Sequence, residues 1–114
     1  MSVNVEALVA KVPTGLLIGS SWRPSSSDEV FDVINPATEK KLAAVSSATS
    51  EDAVAALDAA CAVQQQWAAT SPRERAEILR RAYELVIARA DDFATLMTLE
   101  MGKPLAESHG EVVY

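Results

Sequence analysis

The sequence predicts an α/β chain in which a short β meander is followed by amphipathic helices, and three observations carry that reading. Brief apolar runs bounded by turn residues recur between positions 16 and 45. An alanine-rich stretch with helical spacing begins near Ser50. The stretch Ser71–Pro104 opens with a helix-start signature, in which Ser71 caps, Pro72 fits the first turn and Glu74 completes an S-x-x-E box.

In order along the chain, residues 1–12 read as one short helix with Val5, Leu8, Val9 and Val12 on a side, ended by Pro13. Leu16–Trp22 reads as a strand, and Arg23–Glu29 is rich in loop residues. Val30–Ile34 has strand composition and is broken by Asn35–Pro36. Ala37–Lys40 is a polar turn, and Leu42–Val45 completes a meander of three strands. Ser50 is then the expected N-cap of a helix over Ala53–Trp67, with Glu51 and Asp52 favourably placed at its positive end. Val54, Leu57 and Cys61 fall on one face of that helix, and Ala56, Ala60, Val63 and Trp67 on another.

In the following stretch, Leu79, Tyr83, Val86, Ala90, Phe93 and Met97 form an apolar stripe, the mark of a helix lying on a core. Arg73–Glu77 and Glu77–Arg81 are spaced to pair off the stripe. Asp91–Asp92 interrupts the pattern, leaving one kinked helix or two abutting ones. Gly102 stops the helix and Pro104 prevents its continuation. A last helix follows, with Ala106, Gly110 and Val113 on its inner side. It reaches Tyr114 without a stop signal, so the sequence reads as ending inside an element.

Composition bounds the function. With 114 residues, 49% of them hydrophobic and 23% charged, the chain is of a size for one small globular domain. Aromatic residues make up only 5%, so a core built largely of alanine is thin. A net charge of -6 argues against nucleic-acid and anionic-membrane partners, which require a basic face. The single cysteine, Cys61, excludes an internal disulfide and a cysteine-clustered metal site. Neither a secretory signal pattern nor an apolar run long enough to span a bilayer is present, and a cytoplasmic protein is expected.

Local chemistry is sparse. Cys61 has no histidine or basic residue nearby to activate it and reads as core packing. His109 is the sole histidine, near Glu107 and Glu111, and reads as a helix-surface residue. Glu100 and Glu107 are separated by Gly102 and Pro104 and do not form an acid/base pair. Gly15, Gly19, Gly102 and Gly110 make neither a dinucleotide fingerprint nor a P-loop. These residues alone encode no catalytic centre.

Four segments in this order are more specific: LLIGSSW (16–22), FDVINPATEKKLAAV (31–45), QQWAATSPRERAEILRRAYELV (65–86) and LEMGKPLAESHGEVVY (99–114). Together they resemble the opening part of NAD(P)-dependent aldehyde dehydrogenases, and MGKPLAES with PTGLLIG leans towards the succinate-semialdehyde dehydrogenases. The resemblance implies that residues 1–114 are an incomplete N-terminal portion of the family's nucleotide-binding domain, with 1–13 as an N-terminal extension. It implies a parent enzyme that oxidises a small aldehyde, succinic semialdehyde by the subfamily, to its acid with NAD or NADP.

In that parent a cysteine attacks the aldehyde, hydride passes to the cofactor and a glutamate activates water. Neither the nucleophile motif nor the general-base motif occurs here, and Cys61 and Glu100 match neither. No cofactor is therefore expected on these 114 residues, and no turnover. The parent is expected to be a homo-oligomer, and the isolated chain to associate with itself. The resemblance further places a monovalent cation on the backbone carbonyls of Val33 and Ile34 and the carboxylate of Glu100. A different reading is a free-standing, non-enzymatic helical interaction module, for which a true stop after Tyr114 is the discriminating observation.

Overall fold

The computed structural model describes residues 3–114. Two β-hairpins come before four longer helices. A short helix α1, Val5–Val9, is capped by the Asn4 side chain, which accepts from the Ala7 N–H. Leu8 is its buried residue, 7% exposed, and α1 leans on α4, which is Ala90–Met101. The expected helix over residues 1–12 is thus confined to one and a half turns, and its first two positions lie outside the described residues.

The expected strand Leu16–Trp22 is instead a hairpin, β1 (Leu16–Ile18) with β2 (Ser21–Arg23), paired antiparallel as Leu16↔Arg23 and Ile18↔Ser21. Gly19, at φ 63°, supplies the positive φ that a two-residue hairpin turn needs at its first position, which is why the run folds back. A second hairpin pairs β3 (Val30–Asn35) with β4 (Lys40–Ser46), and the expected single meander is two separate two-stranded sheets. Its turn is fixed by Asn35, whose side-chain Oδ1 accepts from the Ala37 N–H at 2.9 Å while its carbonyl accepts from the Glu39 N–H at 2.8 Å. The register slips between Val33 and Ile34, where Leu42 is the extra residue, so the bulge lies on β4, and β3 is the strand that meets α4.

Helix α2 spans Ser50–Ala69, and its cap is Thr49 rather than Ser50. The Thr49 hydroxyl accepts from the Asp52 N–H while Asp52 accepts from the Thr49 N–H, a reciprocal box that the neighbouring serine cannot make in this register. Helix α3, Pro72–Ala88, begins as expected with the Ser71–Glu74 box. The break before α4 falls at Arg89, not at Asp91–Asp92, which sit instead in the first turn of α4, where negative charge suits the helix end. Glu77 pairs with Arg80, which also reaches Glu84, rather than with Arg73 and Arg81.

Gly102 closes α4 in the left-handed conformation, φ 76°, and its N–H donates to the Thr98 carbonyl at 2.9 Å. Helix α5, Leu105–Val113, packs on α4 through Ser108, which is fully buried and hydrogen-bonded to Thr98 at 2.9 Å between hydroxyl oxygens. The expected inner residues Ala106, Gly110 and Val113 are all exposed. A hydroxyl pair, invisible to a search for apolar periodicity, forms that helix contact.

The core is correspondingly small. Among the described residues the only buried hydrophobic side chains are Leu8 and Ala94. The molecule is a slab measuring 47 × 37 × 20 Å. Its radius of gyration is 16.9 Å, where a compact domain of this length has about 13 Å. Leu79 and Tyr83, expected to face a core, are exposed, as is Cys61.

Candidate functional site

The corner where the β3–β4 turn meets the end of α4 joins the two most specific sequence segments. Helix α4 packs along β3, and Gly102 lies against the side chain of Pro36. Two features give this corner a negative, oxygen-rich character. The last turn of α4 contains no basic residue, so its free carbonyls are not offset by a positive side chain there. Lys103, the next cation along the chain, is ion-paired with Glu111 of α5. Glu100 is exposed in that last turn, and among the described residues it has neither an ion-pair nor a hydrogen-bond partner.

Val33 and Ile34 lie opposite the β4 bulge at Leu42, Val33 partly buried and Ile34 exposed. Their carbonyls and Glu100 thus belong to elements that touch. The donor set is backbone and carboxylate oxygen, the chemistry of a hard cation. Among the described residues no group of three or more His, Cys, Asp or Glu side chains is placed to hold a metal ion.

A second constellation escaped the motif search. Asp52 is 2% exposed, and its carboxylate accepts from Thr49 N–H (2.9 Å), Ser26 N–H (3.1 Å) and the Ser25 hydroxyl (3.0 Å). Arg23 Nη2 lies 3.3 Å from Oδ1. The Thr49 backbone hydrogen bond is the largest of the influences that hold the Asp52 carboxyl far below the usual carboxylate range. Burial opposes it, and Ser26, Ser25 and the Thr49 hydroxyl add to it. All partners stabilise the anion, and none is placed to take a proton from a substrate. Asp52 is therefore a clamp that ties the 24–29 loop to the start of α2. Its signal was present in the T-x-x-D spacing of Thr49 and Asp52.

The remaining candidates stay apart. Cys61 is exposed midway along α2. His109 Nε2 lies 3.5 Å from Asp91 Oδ1, a contact that bridges α5 to α4. Glu107 is exposed in the first turn of α5. An open groove of about 800 Å³ between α1 and the α3–α4 junction is lined by Leu8, Trp22, Ile87 and Phe93, with Lys11 and Arg89 at its polar side. Among the described residues no helix is long and apolar enough to cross a membrane.

Comparison with known proteins shows what the chain as a whole is similar to. The sequence profile of the aldehyde dehydrogenase family matches residues 22–114. The chain is similar to a succinate-semialdehyde dehydrogenase of Paenarthrobacter nicotinovorans, 74% identical over 73 residues, which is 64% of this chain and 16% of that protein. It is also similar to the NADP(+) succinate-semialdehyde dehydrogenase of Escherichia coli K12, 44% identical over 98 residues, or 86% of this chain and 20% of the relative. Among solved structures, a succinate-semialdehyde dehydrogenase from Burkholderia pseudomallei superposes with a TM-score of 0.83 at 43% identity, covering 85% of this chain and 20% of that one. The chain thus spans 16–20% of the curated relatives named here.

Proposed function

This chain belongs to the aldehyde dehydrogenase family, and from that premise we propose that it is the N-terminal portion of an NAD(P)-dependent succinate-semialdehyde dehydrogenase. The observation that carries the reading is the 74% identity to a succinate-semialdehyde dehydrogenase over 73 residues. The substrate is then a short aldehyde with a carboxylate, and the product is its diacid. NADP is the cofactor in the name of the Escherichia coli relative.

In this reading residues 1–114 contribute scaffold to a nucleotide-binding domain, and residues 1–13, before the first hairpin, are an extension to it. No step of the chemistry falls on them. Cys61, exposed and without an activating neighbour, is not the nucleophile. Val33, Ile34 and Glu100 are the residues of this chain that would hold a monovalent cation, and the ion would brace the α4–β3 corner. The touching elements and the uncompensated end of α4 support that assignment.

The test joins residues 1–114 in frame to the part of a matching succinate-semialdehyde dehydrogenase that lies beyond the shared region. Reduced cofactor is then followed with succinic semialdehyde, using NADP and NAD in turn. Residues 1–114 are expected to restore succinic-semialdehyde oxidation to that part, which lacks it alone, and the 114 residues alone are expected to show no turnover. A joined enzyme no more active than the added part by itself, or turnover by the isolated chain above a heat-treated control, overturns the reading.

A further inference from the structure

Lys103 lies in the short link between α4 and α5, with carboxylates on either side of it in the chain. Glu100 is three residues before it, in the last turn of α4, and Glu107 and Glu111 follow it along α5. The ammonium is ion-paired with Glu111, and Glu100 is left without a partner among the described residues. The pair is more than a contact between two solvated side chains. Lys103 is only 15% exposed, against 57% for Glu111, and lysine is seldom so covered unless it is paired.

The backbone around Lys103 is fixed on both sides. Gly102 is left-handed at φ 76°, and Pro104 holds φ at -57°. Only the flexible stem of Lys103 then decides which carboxylate receives its charge. Without Glu111, two remain. Glu107 stands in the first turn of α5, where the positive helix end already offsets its charge. Glu100 stands in the last turn of α4, which has no basic residue, and is the stronger attractor. Lys41, opposite Ile34 across the hairpin, is likewise held elsewhere, on Asp32 at 2.7 Å.

An ammonium carries the same single positive charge as an alkali-metal ion. Tethered three residues from Glu100, it competes for that carboxylate without having to arrive from solution. Like charges on one carboxylate repel, so Lys103 seated on Glu100 excludes the ion. We infer that Glu111 is a positioning residue for the cation corner: it holds the Lys103 ammonium on α5, which leaves Glu100 free for a monovalent cation, and in its absence Lys103 takes the ion's place. The inference rests on the assignment of a cation to Val33, Ile34 and Glu100 above, and deepens it by naming what keeps that corner open.

The test compares melting temperatures of the joined polypeptide in potassium chloride and in choline chloride at one ionic strength, the difference being the stabilisation by the ion. Glu111→Gln keeps the shape of an exposed side chain and is expected to lose at least half of that increment. Lys103→Met/Glu111→Gln keeps the covered stem but removes the competing charge, and is expected to recover it. A merely structural role for the pair predicts no such recovery. An increment unchanged in Glu111→Gln overturns the inference, and so does one that is lost there and stays lost with Lys103→Met. An unsubstituted polypeptide with no increment, or one whose increment survives Glu100→Gln, overturns the cation assignment and this inference with it. The melts are read without substrate, so a failure to oxidise succinic semialdehyde is scored separately.

Discussion

Gly102 ends α4 against Pro36, so close that a Cβ added to Gly102 would sit 2.9 Å from Pro36 Cγ. The relation fuses the turn after β3 to the end of α4, and it makes two demands on position 102. The backbone there is left-handed, at φ 76°, and the side chain must be absent.

Gly102→Ala in the joined polypeptide should therefore destabilise by about 1–3 kcal/mol, through a left-handed alanine and the displaced ring together. The drop in urea midpoint at constant slope measures it. In a Pro36→Ala background the cost should fall towards about 1 kcal/mol, the share owed to φ alone. An equal cost in both backgrounds would show that the close approach carries no energy.

Much of this corner was legible in the sequence, because its residues act through local rules. A glycine after the last helical turn, a proline two positions later and an Asn-Pro break after an apolar run each carry their own conformational signal. The Ser71–Glu74 box was readable for the same reason. What escaped was decided by contact. Helix α5 meets α4 through the buried Ser108 hydroxyl against the half-buried Thr98, a contact that apolar periodicity cannot register. The stripe Leu79–Tyr83 was read correctly as helical but assigned to a core that the described residues do not supply. Leu16–Trp22 reads as a single strand only when the Gly19–Ser20 turn signal inside the run is passed over, and that turn reverses the chain.

Asp52 gives a pH-dependent outcome. Its folded-state pKa lies below the unfolded value, so its contribution to stability is fully present above the ordinary carboxylate range. That contribution is lost as pH falls towards the depressed folded value. Glu74, lowered by the Ser71 hydroxyl and then by the Ser71 N–H, acts in the same direction. Asp52→Asn should flatten part of the acid limb of the stability curve between about pH 4 and pH 2 and leave the Glu74 part intact. It should also speed hydrogen exchange at the Ser26 and Thr49 amides, which donate to Asp52. A variant with the same acid limb and the same exchange rates would remove Asp52 from the role of clamp.

The cation assignment predicts a selective response. In the joined polypeptide, replacing choline chloride with potassium chloride at fixed ionic strength should raise the melting temperature by roughly 1–3 °C, as a weakly bound ion does. Glu100→Gln should abolish that increment without altering the melt in choline. A shift of the same size in the variant would exclude Glu100 as a ligand, whatever holds the ion.

The last prediction concerns the 114 residues alone. Net stability of a domain is only about 5–15 kcal/mol, the difference between large apolar burial and equally large chain entropy. Here the first term falls short, since the chain exposes 8573 Å² where a folded monomer of its mass exposes about 6,100 Å². Leu8 and Ala94 are the only buried hydrophobic side chains among the described residues. At roughly 25 cal/mol per Å², the missing burial of about 2,500 Å² exceeds the whole of that margin even if half of the area is polar. The caps at Thr49 and Ser71 and the box at each helix start still favour local helix. The expected species is therefore helical by circular dichroism but loosely packed, binding a hydrophobic dye and eluting above its monomer mass in a concentration-dependent way. A sharp melt from a monodisperse monomer that binds no dye would show that these helices find enough cover within the chain itself, and it would turn the argument towards a free-standing interaction module.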